Sequence, residues 1–152
     1  METIDENRMI RVLKEQYKHE KLQKAGAKWP SDIKRALEYL NRHLFEFGCT
    51  VSKMRATCHI NQNNYSMKFR YLIGMTPLEY IRLHRIHCSQ RMMKLSNGRC
   101  SITLIGFEVG YEQPSTFCEA FKKVAGMSPR AYKNKLKGTL NNQLKNEAVN
   151  GW

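Results

Sequence analysis

The sequence predicts an all-α fold in which two similar helical subdomains are joined by a long central helix and preceded by an extra N-terminal helix. Three observations support this fold class. Apolar residues within 101–136 recur at the spacing of two short amphipathic helices. The same pattern occurs 52 residues earlier in the chain. Residues 77–95 carry apolar positions on two sides of one helix, which is typical of a connector packed between two subdomains.

The chain is strongly basic. Its 152 residues include 26 Lys and Arg against 13 Asp and Glu, which gives a formal charge of +13. Residues 61–100 hold seven basic residues and a single acid, Glu79, whereas the charges within 138–152 cancel. The excess therefore lies in the body of the chain, and it favours an anionic partner. This length suits one domain or two very small ones around a buried core.

The cysteines indicate a reducing compartment. They are odd in number, irregularly spaced and without a C-x-x-C pair, so disulfides and a structural zinc site are both disfavoured. No signal peptide and no apolar run approaching about 18 residues is present. We therefore expect a cytoplasmic protein with reduced thiols and no membrane association. The five cysteines are Cys49, Cys58, Cys88, Cys100 and Cys118.

Residues 1–28 form a charged N-terminal extension with a narrow apolar side. Two interpretations of this helix stay open: it docks a partner or dimerises, or it is solvated and partly frayed, which a narrow stripe favours. Gly26 and Trp29-Pro30 break the pattern, so residues 26–30 are predicted to be a linker. The apolar side consists of Met9, Ile10, Leu13 and Tyr17.

The first subdomain is predicted over 31–75. Ser31 or Asp32 caps a helix to about Phe45, because apolar residues follow at the spacing of one buried face. From Thr50 onward the chain repeats at an offset of 52 residues, which indicates two copies of one supersecondary unit. The repeated positions are Tyr65, Phe69, Gly74, Met75, Thr76, Pro77 and Tyr80, which precede Phe117, Phe121, Gly126, Met127, Ser128, Pro129 and Tyr132.

A long helix over 77–95 is predicted to link the subdomains. Thr76-Pro77 begins it and residues 96–98 end it. Its two apolar sides are expected to face the two units. One side carries Leu78, Ile81, Cys88, Met92 and Leu95, and the other carries Ile86, Ser89 and Met93.

The second subdomain is predicted over 101–137. Gly110 supplies the positive φ that a sharp helix exit needs, and Pro114 suits the first turn of a second helix. Phe117 and Phe121 place the apolar side of that helix against the first. Two helices joined by a tight glycine turn are a helix-turn-helix. Residues 138–152 show no apolar stripe and are expected to be disordered.

These residues also resemble a known family. The pattern I-x-x-I-G-x-x-V-G-Y, then S-x-F-x-x-x-F-K-K, then G-M-S-P-x-x-Y, from Ile102 to Tyr132, is similar to the signature of the AraC/XylS transcription regulators. With the first copy, the resemblance implies an AraC-type DNA-binding domain over 31–137, with Arg85 ion-paired inside the junction. Three departures from the family pattern are Gly106 for the usual Ala, Arg55 for a small residue, and Cys58-His59 for a glycine-containing turn.

The resemblance and the apolar phase of each helix give the candidate site. Asn63 can pair with adenine, Glu119 can accept from a cytosine amino group, and Met67 can contact a thymine methyl. The base-reading positions of the family fall on Asn63, Ser66, Met67, Ser115, Thr116 and Glu119. Phosphate contacts are expected from Lys53, Asn61, Lys68, Arg70, Lys122 and Lys123.

The predicted function is that of a sequence-specific DNA-binding transcription factor without cofactor, metal or enzymatic activity. Its two recognition helices would enter successive major grooves of double-stranded DNA. The chain would bind as a monomer, with dimerisation through the N-terminal helix as an option, would contact RNA polymerase, and would lie with the nucleoid in the cytoplasm. Two other functions fit the sequence less well. A metal site at His84, His87 and Cys88 lacks a fourth ligand, and a helical protein-interaction module without DNA readout conflicts with the charge of 61–100.

Overall fold

The computed structural model describes residues 6–61 and 63–151, and every regular element among them is an α-helix. The predicted all-α class is therefore confirmed. None of these helices combines the length and apolarity needed to cross a bilayer. Residues 1–5, Gln62 and Trp152 lie outside the described residues. The helices are α1 Glu6–Lys21, α2 Ser31–His43, α3 Val51–Thr57, α4 Tyr65–Ile73, α5 Pro77–Leu95, α6 Ile102–Glu108, α7 Pro114–Ala125 and α8 Pro129–Asn150.

Helix α5 is the centre of the fold, and it packs against α1, α4, α6 and α7. Its start is fixed by a capping box: the Thr76 hydroxyl accepts from the Glu79 amide at 3.2 Å, and the Glu79 carboxylate accepts from the Thr76 amide at 2.8 Å. Buried residues occur on both of its sides, as predicted. Leu78 and Leu95, however, are more than half exposed, so the predicted apolar side does not extend to the two ends of the helix.

The first helix-turn-helix unit consists of α3 and α4, with α2 packed against both. Thr50 caps α3 by accepting the Lys53 amide at 3.1 Å. Tyr65, Phe69 and Ile73 form the buried face of α4. Gly74, at φ 93°, then ends the helix in the left-handed conformation that glycine adopts at low cost.

The second unit consists of α6 and α7, followed by the first turn of α8. Ser101 caps α6 by accepting the Leu104 amide at 3.4 Å. Gly110 has positive φ, so the turn after α6 uses glycine as the sequence predicted, and Gly126, also at positive φ, ends α7. Pro129 opens α8, and the hydroxyl of its N-cap Ser128 accepts the Ala131 amide.

The N-terminal helix is part of the packed domain. Ile10, Leu13 and Tyr17 of α1 are buried in the common core, so the expectation of a solvated or partner-docking helix is wrong. Helix α1 packs against α5, and Tyr17 also packs on the ring of Phe45. Two ion pairs at 3.1 Å and 2.6 Å, Lys14 with Glu108 and Glu20 with Arg91, border this contact.

The expected disordered tail is also wrong, since α8 continues to Asn150. The residues beyond Lys137 are almost all exposed, and the predicted lack of an apolar stripe is correct. A helix that is already nucleated at Pro129 extends without a further nucleation cost. Gly138 costs only about 1 kcal/mol relative to alanine, and no proline follows it. The absence of a packing face therefore did not imply the absence of a helix.

Candidate nucleic-acid interface

Helix α7 presents one polar face that is exposed along its whole length. Phe117 and Phe121 lie on the opposite side with ring centroids 5.8 Å apart, and Phe121 packs on Tyr132 at 5.5 Å. These rings fix the rotation of the helix about its axis. The predicted contact residues are consequently all exposed: Ser115, Thr116, Glu119, Lys122 and Lys123.

Helix α4 is the shorter counterpart. Met67 is 75% exposed and Arg70 is exposed, whereas Ser66 is half-buried at the flank of the helix. Asn63 is exposed, but it lies in the turn of residues 63–64 that precedes the helix, because α4 begins only at Tyr65. Its predicted place on the first recognition helix is therefore corrected to the approach to that helix.

The expected phosphate contacts of the first unit differ in their exposure and in whether a carboxylate lies nearby. Lys53 in the first turn of α3 and Asn61 after it are exposed. Lys68 is half-buried, and its Nζ lies 3.9 Å from a carboxylate oxygen of Asp32 on α2. Part of its charge is thus already compensated, which makes Lys68 a weaker candidate than Lys53 or Arg70.

Arg85 joins the two units, but through neutral partners. Its Nε donates to the Leu44 carbonyl and its terminal nitrogen to the Glu46 carbonyl, both at 2.8 Å. The guanidinium also lies 5.1 Å from the ring centre of Tyr111, in the turn of the second unit. The expected ion pair is therefore wrong, and burial lowers the pKa of Arg85. This side chain connects the loop that enters the first unit to the turn of the second.

The turn between α6 and α7 depends on that arginine. A Cβ added to Gly110 would lie 2.8 Å from the Arg85 guanidinium carbon, and the residue has φ 105°. Glycine is therefore required for space as well as for conformation. In the first unit, the positive φ falls on His59 at 53°, so the turn expected there is made without glycine.

His84 of α5 is held in place by two tyrosine side chains. The Nδ1 of His84 is hydrogen-bonded to the Tyr17 hydroxyl at 2.7 Å, and its ring centroid lies 4.4 Å from that of Tyr80. Burial lowers the pKa of His84 to about 4 and raises that of Cys88 to about 12. His87 is exposed, and residues 6–61 and 63–151 contain no group of three potential metal ligands.

The exposed face of α7 includes one residue that sequence reasoning missed. Cys118 is exposed between Phe117 and Glu119, whereas Cys49, Cys58, Cys88 and Cys100 are buried. The 52-residue repeat carries the signal that could have found it, because Cys118 corresponds to Ser66.

Known proteins of similar sequence and fold indicate the family to which this arrangement of helices belongs. A family model described as a helix-turn-helix domain matches residues 54–135, more than half of the chain. The HTH-type transcriptional regulator YobQ of Bacillus subtilis, named as uncharacterized, is 32% identical over 121 residues, which cover 80% of this chain and 46% of YobQ. The arabinose operon regulatory protein of Escherichia coli is 27% identical over 101 residues, 66% of this chain and 34% of that protein. The chain thus spans less than half of these relatives.

Among solved structures, the C-terminal domain of AraT, a response regulator from Geobacillus stearothermophilus, has a similar fold. The TM-score is 0.63 at 20% sequence identity, and the match covers 72% of this chain and 88% of that domain.

Proposed function

Because the chain belongs to the AraC/XylS family of helix-turn-helix transcriptional regulators, we propose that it binds specific sequences in double-stranded DNA through α4 and α7 and thereby regulates transcription. Each helix is held by buried aromatic residues on one side and is exposed on the other. That duplication is the observation on which the proposal rests. A single chain then offers the two reading elements that simpler helix-turn-helix proteins obtain by dimerising.

The arrangement of two recognition helices in one chain predicts the spacing between the two DNA segments that they contact. Major-groove segments on one side of B-form DNA recur about every 34 Å, so the two helices are expected to enter successive grooves or to bend the duplex. The proposed base contacts are Asn63, Ser66 and Met67 for the first unit and Ser115, Thr116 and Glu119 for the second.

Selection of bound duplexes from a random pool, followed by footprinting, tests the proposal directly. We expect an enriched site with two recognition elements about one helical turn apart. A chain that reads DNA with one unit would enrich one short element instead. No enrichment over the input pool would contradict sequence-specific binding altogether.

Salt dependence tests the phosphate contacts of each unit separately. Arg70 and Lys122 correspond in the internal repeat, and both are exposed. Arg70→Ala and Lys122→Ala should each weaken binding to all sequences and lower the slope of log affinity against log salt by about one. Arg11→Ala, an exposed change on α1, is the matched control and should leave the slope unchanged. An unchanged slope in Lys122→Ala would remove that residue from the interface.

Base preference tests the reading contacts. Glu119→Ala should relax the choice at one base pair, at a cost of about 1–3 kcal/mol for the preferred site. Ser66→Ala should change preference less, because its side chain is half-buried. Repeating the pool selection with each variant measures both effects. A uniform loss of affinity across all sequences would reassign the residue to the phosphate backbone.

Further parts of the proposal concern partners. A regulator acts where the chromosome lies, so we place the chain on bacterial DNA in the cytoplasm, as a monomer on its site and in contact with RNA polymerase. The alternative, a protein-interaction module, depended on the apolar side of α1 as a docking surface. Ile10, Leu13 and Tyr17 of that side are buried within the domain itself.

A further inference from the structure

An open groove of about 820 Å³ lies between the two helix-turn-helix units. The loop before α3 and the first turn of α3, residues 47–52, form one wall. The start of α5 forms the floor, and the turn of residues 110–113 with one flank of α7 forms the other wall. The groove is therefore built by both units and by the helix that connects them.

The groove exposes apolar surface that the fold does not use. Phe47 is 51% exposed and Leu78 is 53% exposed, and both line the groove. Val51, Ile81 and Ala120 add further apolar surface to it. Exposed apolar surface gathered in a concavity is typical of a ligand site rather than of solvated surface.

Basic groups border this apolar surface. Arg82 lies one helical turn after Leu78, so the two side chains share a face of α5. Lys122 and Lys123 border the groove from α7. The described part of the chain provides no hydrogen bond or ion pair to these three cations.

Two acids, Glu112 and Glu119, also line the groove. They lie on the turn and on α7, whereas Arg82 on α5 adjoins the apolar surface. Arg85 is committed to carbonyl groups of the loop before α3. The cation next to the apolar surface is therefore Arg82, and an occupant with one apolar body and one anionic group matches this pair.

We propose that the groove binds an amphipathic organic anion, such as an aromatic carboxylate or sulfonate, with its apolar body on Phe47 and Leu78 and its charge on Arg82. Thr116, Glu119, Lys122 and Lys123 line the same groove and belong to the proposed DNA contacts. An occupant would therefore compete with DNA, a consequence that rests on the proposed function. Nucleic acid satisfies the cations equally well, but its backbone offers no apolar body for Phe47 and Leu78.

Binding is tested on the full chain without DNA, with 8-anilinonaphthalene-1-sulfonate as the fluorescent probe. We expect saturable enhancement at one site, with Leu78→Ser weakening the probe about threefold or more and Arg82→Gln about tenfold. Leu144→Ser and Arg11→Gln are matched controls, because both residues are exposed and lie outside the groove. Equal weakening in variants and controls, or enhancement that does not saturate, would overturn the site.

Competition resolves the chemistry of the ligand and its coupling to DNA. 2-Naphthoate should displace the probe at least tenfold better than neutral 2-naphthylmethanol, and equal displacement would overturn the role of the anionic group. In a fluorescence-anisotropy titration with a labelled duplex, saturating naphthoate should raise the apparent Kd several-fold. If the probe binds as expected and the Kd is unchanged, the site stands and the competition is rejected. If the chain binds no DNA, the probe titration still decides the site.

Discussion

The two helix-turn-helix units share a framework and differ in the turn. The first helices and turns align at an offset of 51 residues, since Thr50 corresponds to Ser101 as the cap and His59 to Gly110 as the left-handed residue. The second helices align at 52, since Tyr65 corresponds to Phe117. The second unit thus has one more residue between its left-handed residue and the first buried ring of its second helix. A repeat of buried rings and capping residues is preserved while the connection between the helices varies.

The two units also differ at the contact between their two helices. Gly106 of α6 packs so closely on Phe117 that an added Cβ would lie 2.9 Å from the ring. The corresponding residue at the 51-residue offset is Arg55, whose guanidinium lies 4.6 Å from the ring centre of Tyr65. One unit brings its helices together with the smallest residue, and the other fills the same place with a cation on an aromatic ring. The two departures from the family pattern are therefore alternative ways to pack one position.

Among the substitutions that distinguish the two units, Gly110→Ala is expected to lower the free energy of unfolding most. The substitution places a Cβ against the Arg85 guanidinium and forces alanine to φ 105°. The combined clash and strain should cost about 2–4 kcal/mol of unfolding free energy. Urea denaturation followed by circular dichroism measures it.

His59→Ala is the matched control for that substitution. His59 is a non-glycine residue that already has a positive φ, so alanine adds no new backbone strain there. The His59 side chain is also exposed, so its removal costs little packing. We expect a change within about 0.5 kcal/mol. Equal losses of unfolding free energy in both variants would show that the contact with Arg85 does not make Gly110 less tolerant of alanine than His59.

The sequence predicted what depends on local periodicity and turn chemistry. Helix α5 begins at Pro77 and ends at Leu95 as expected, and Pro114 opens α7. Residues such as Phe117 and Phe121 fix a helical face by spacing alone, so the exposed face of α7 was also predictable. The roles of the exposed residues stay predictions.

Long-range partners could not be predicted in the same way. Three apolar residues on α1 are compatible with a solvated helix, and only the matching side of α5 decides that they are buried. The partners of Arg85 are main-chain carbonyls, which every residue has and no side-chain pattern marks. The continuation of α8 past Lys137 depends on a helix already nucleated elsewhere in the chain.

The units also differ in how they contact α1, and acid should act on that contact. Tyr17 packs on Phe45, in the loop that leads into the first unit, whereas Lys14 forms an ion pair with Glu108 of the second unit. Tyr17 also shares a buried hydrogen bond with His84 of α5. Burial depresses the pKa of His84 from its ordinary 6.5 to about 4, so the unfolded chain binds a proton first. Stability should fall as pH decreases from 6.5 toward 4 and level off below, by about 1–2 kcal/mol between pH 7 and 5.

His84→Gln provides the control, because glutamine can keep a hydrogen bond to Tyr17 and does not titrate. Its stability should change less than that of the parent chain between pH 7 and 5 when both are unfolded in urea. A smaller slope remains from His87, whose pKa is also lowered because neighbouring residues partly desolvate its ring. Parallel pH profiles for the two proteins would exclude His84 as the titrating group.

A smaller effect is expected at the position where the helices of each unit meet. Gly106→Ala gains about 1 kcal/mol of helix propensity but pushes a Cβ into the Phe117 ring, which costs about 1–3 kcal/mol. The net loss should be about 1 kcal/mol. Arg55→Ala removes the contact with Tyr65 and should lose about 0.5–1 kcal/mol. Thermal unfolding of both variants compares them, and a gain of stability in Gly106→Ala would show that Phe117 moves freely.

The smallest expected effect is a gain, from His59→Gly in the first unit. A left-handed conformation costs a non-glycine residue about 1–2 kcal/mol, and glycine removes that cost. Glycine also adds conformational freedom to the unfolded chain, at about 0.5–1 kcal/mol. The net stabilisation should therefore be between zero and about 1 kcal/mol, measured by urea denaturation against His59→Ala. A loss of stability relative to His59→Ala would mean that the left-handed conformation at φ 53° carries no strain in the first turn.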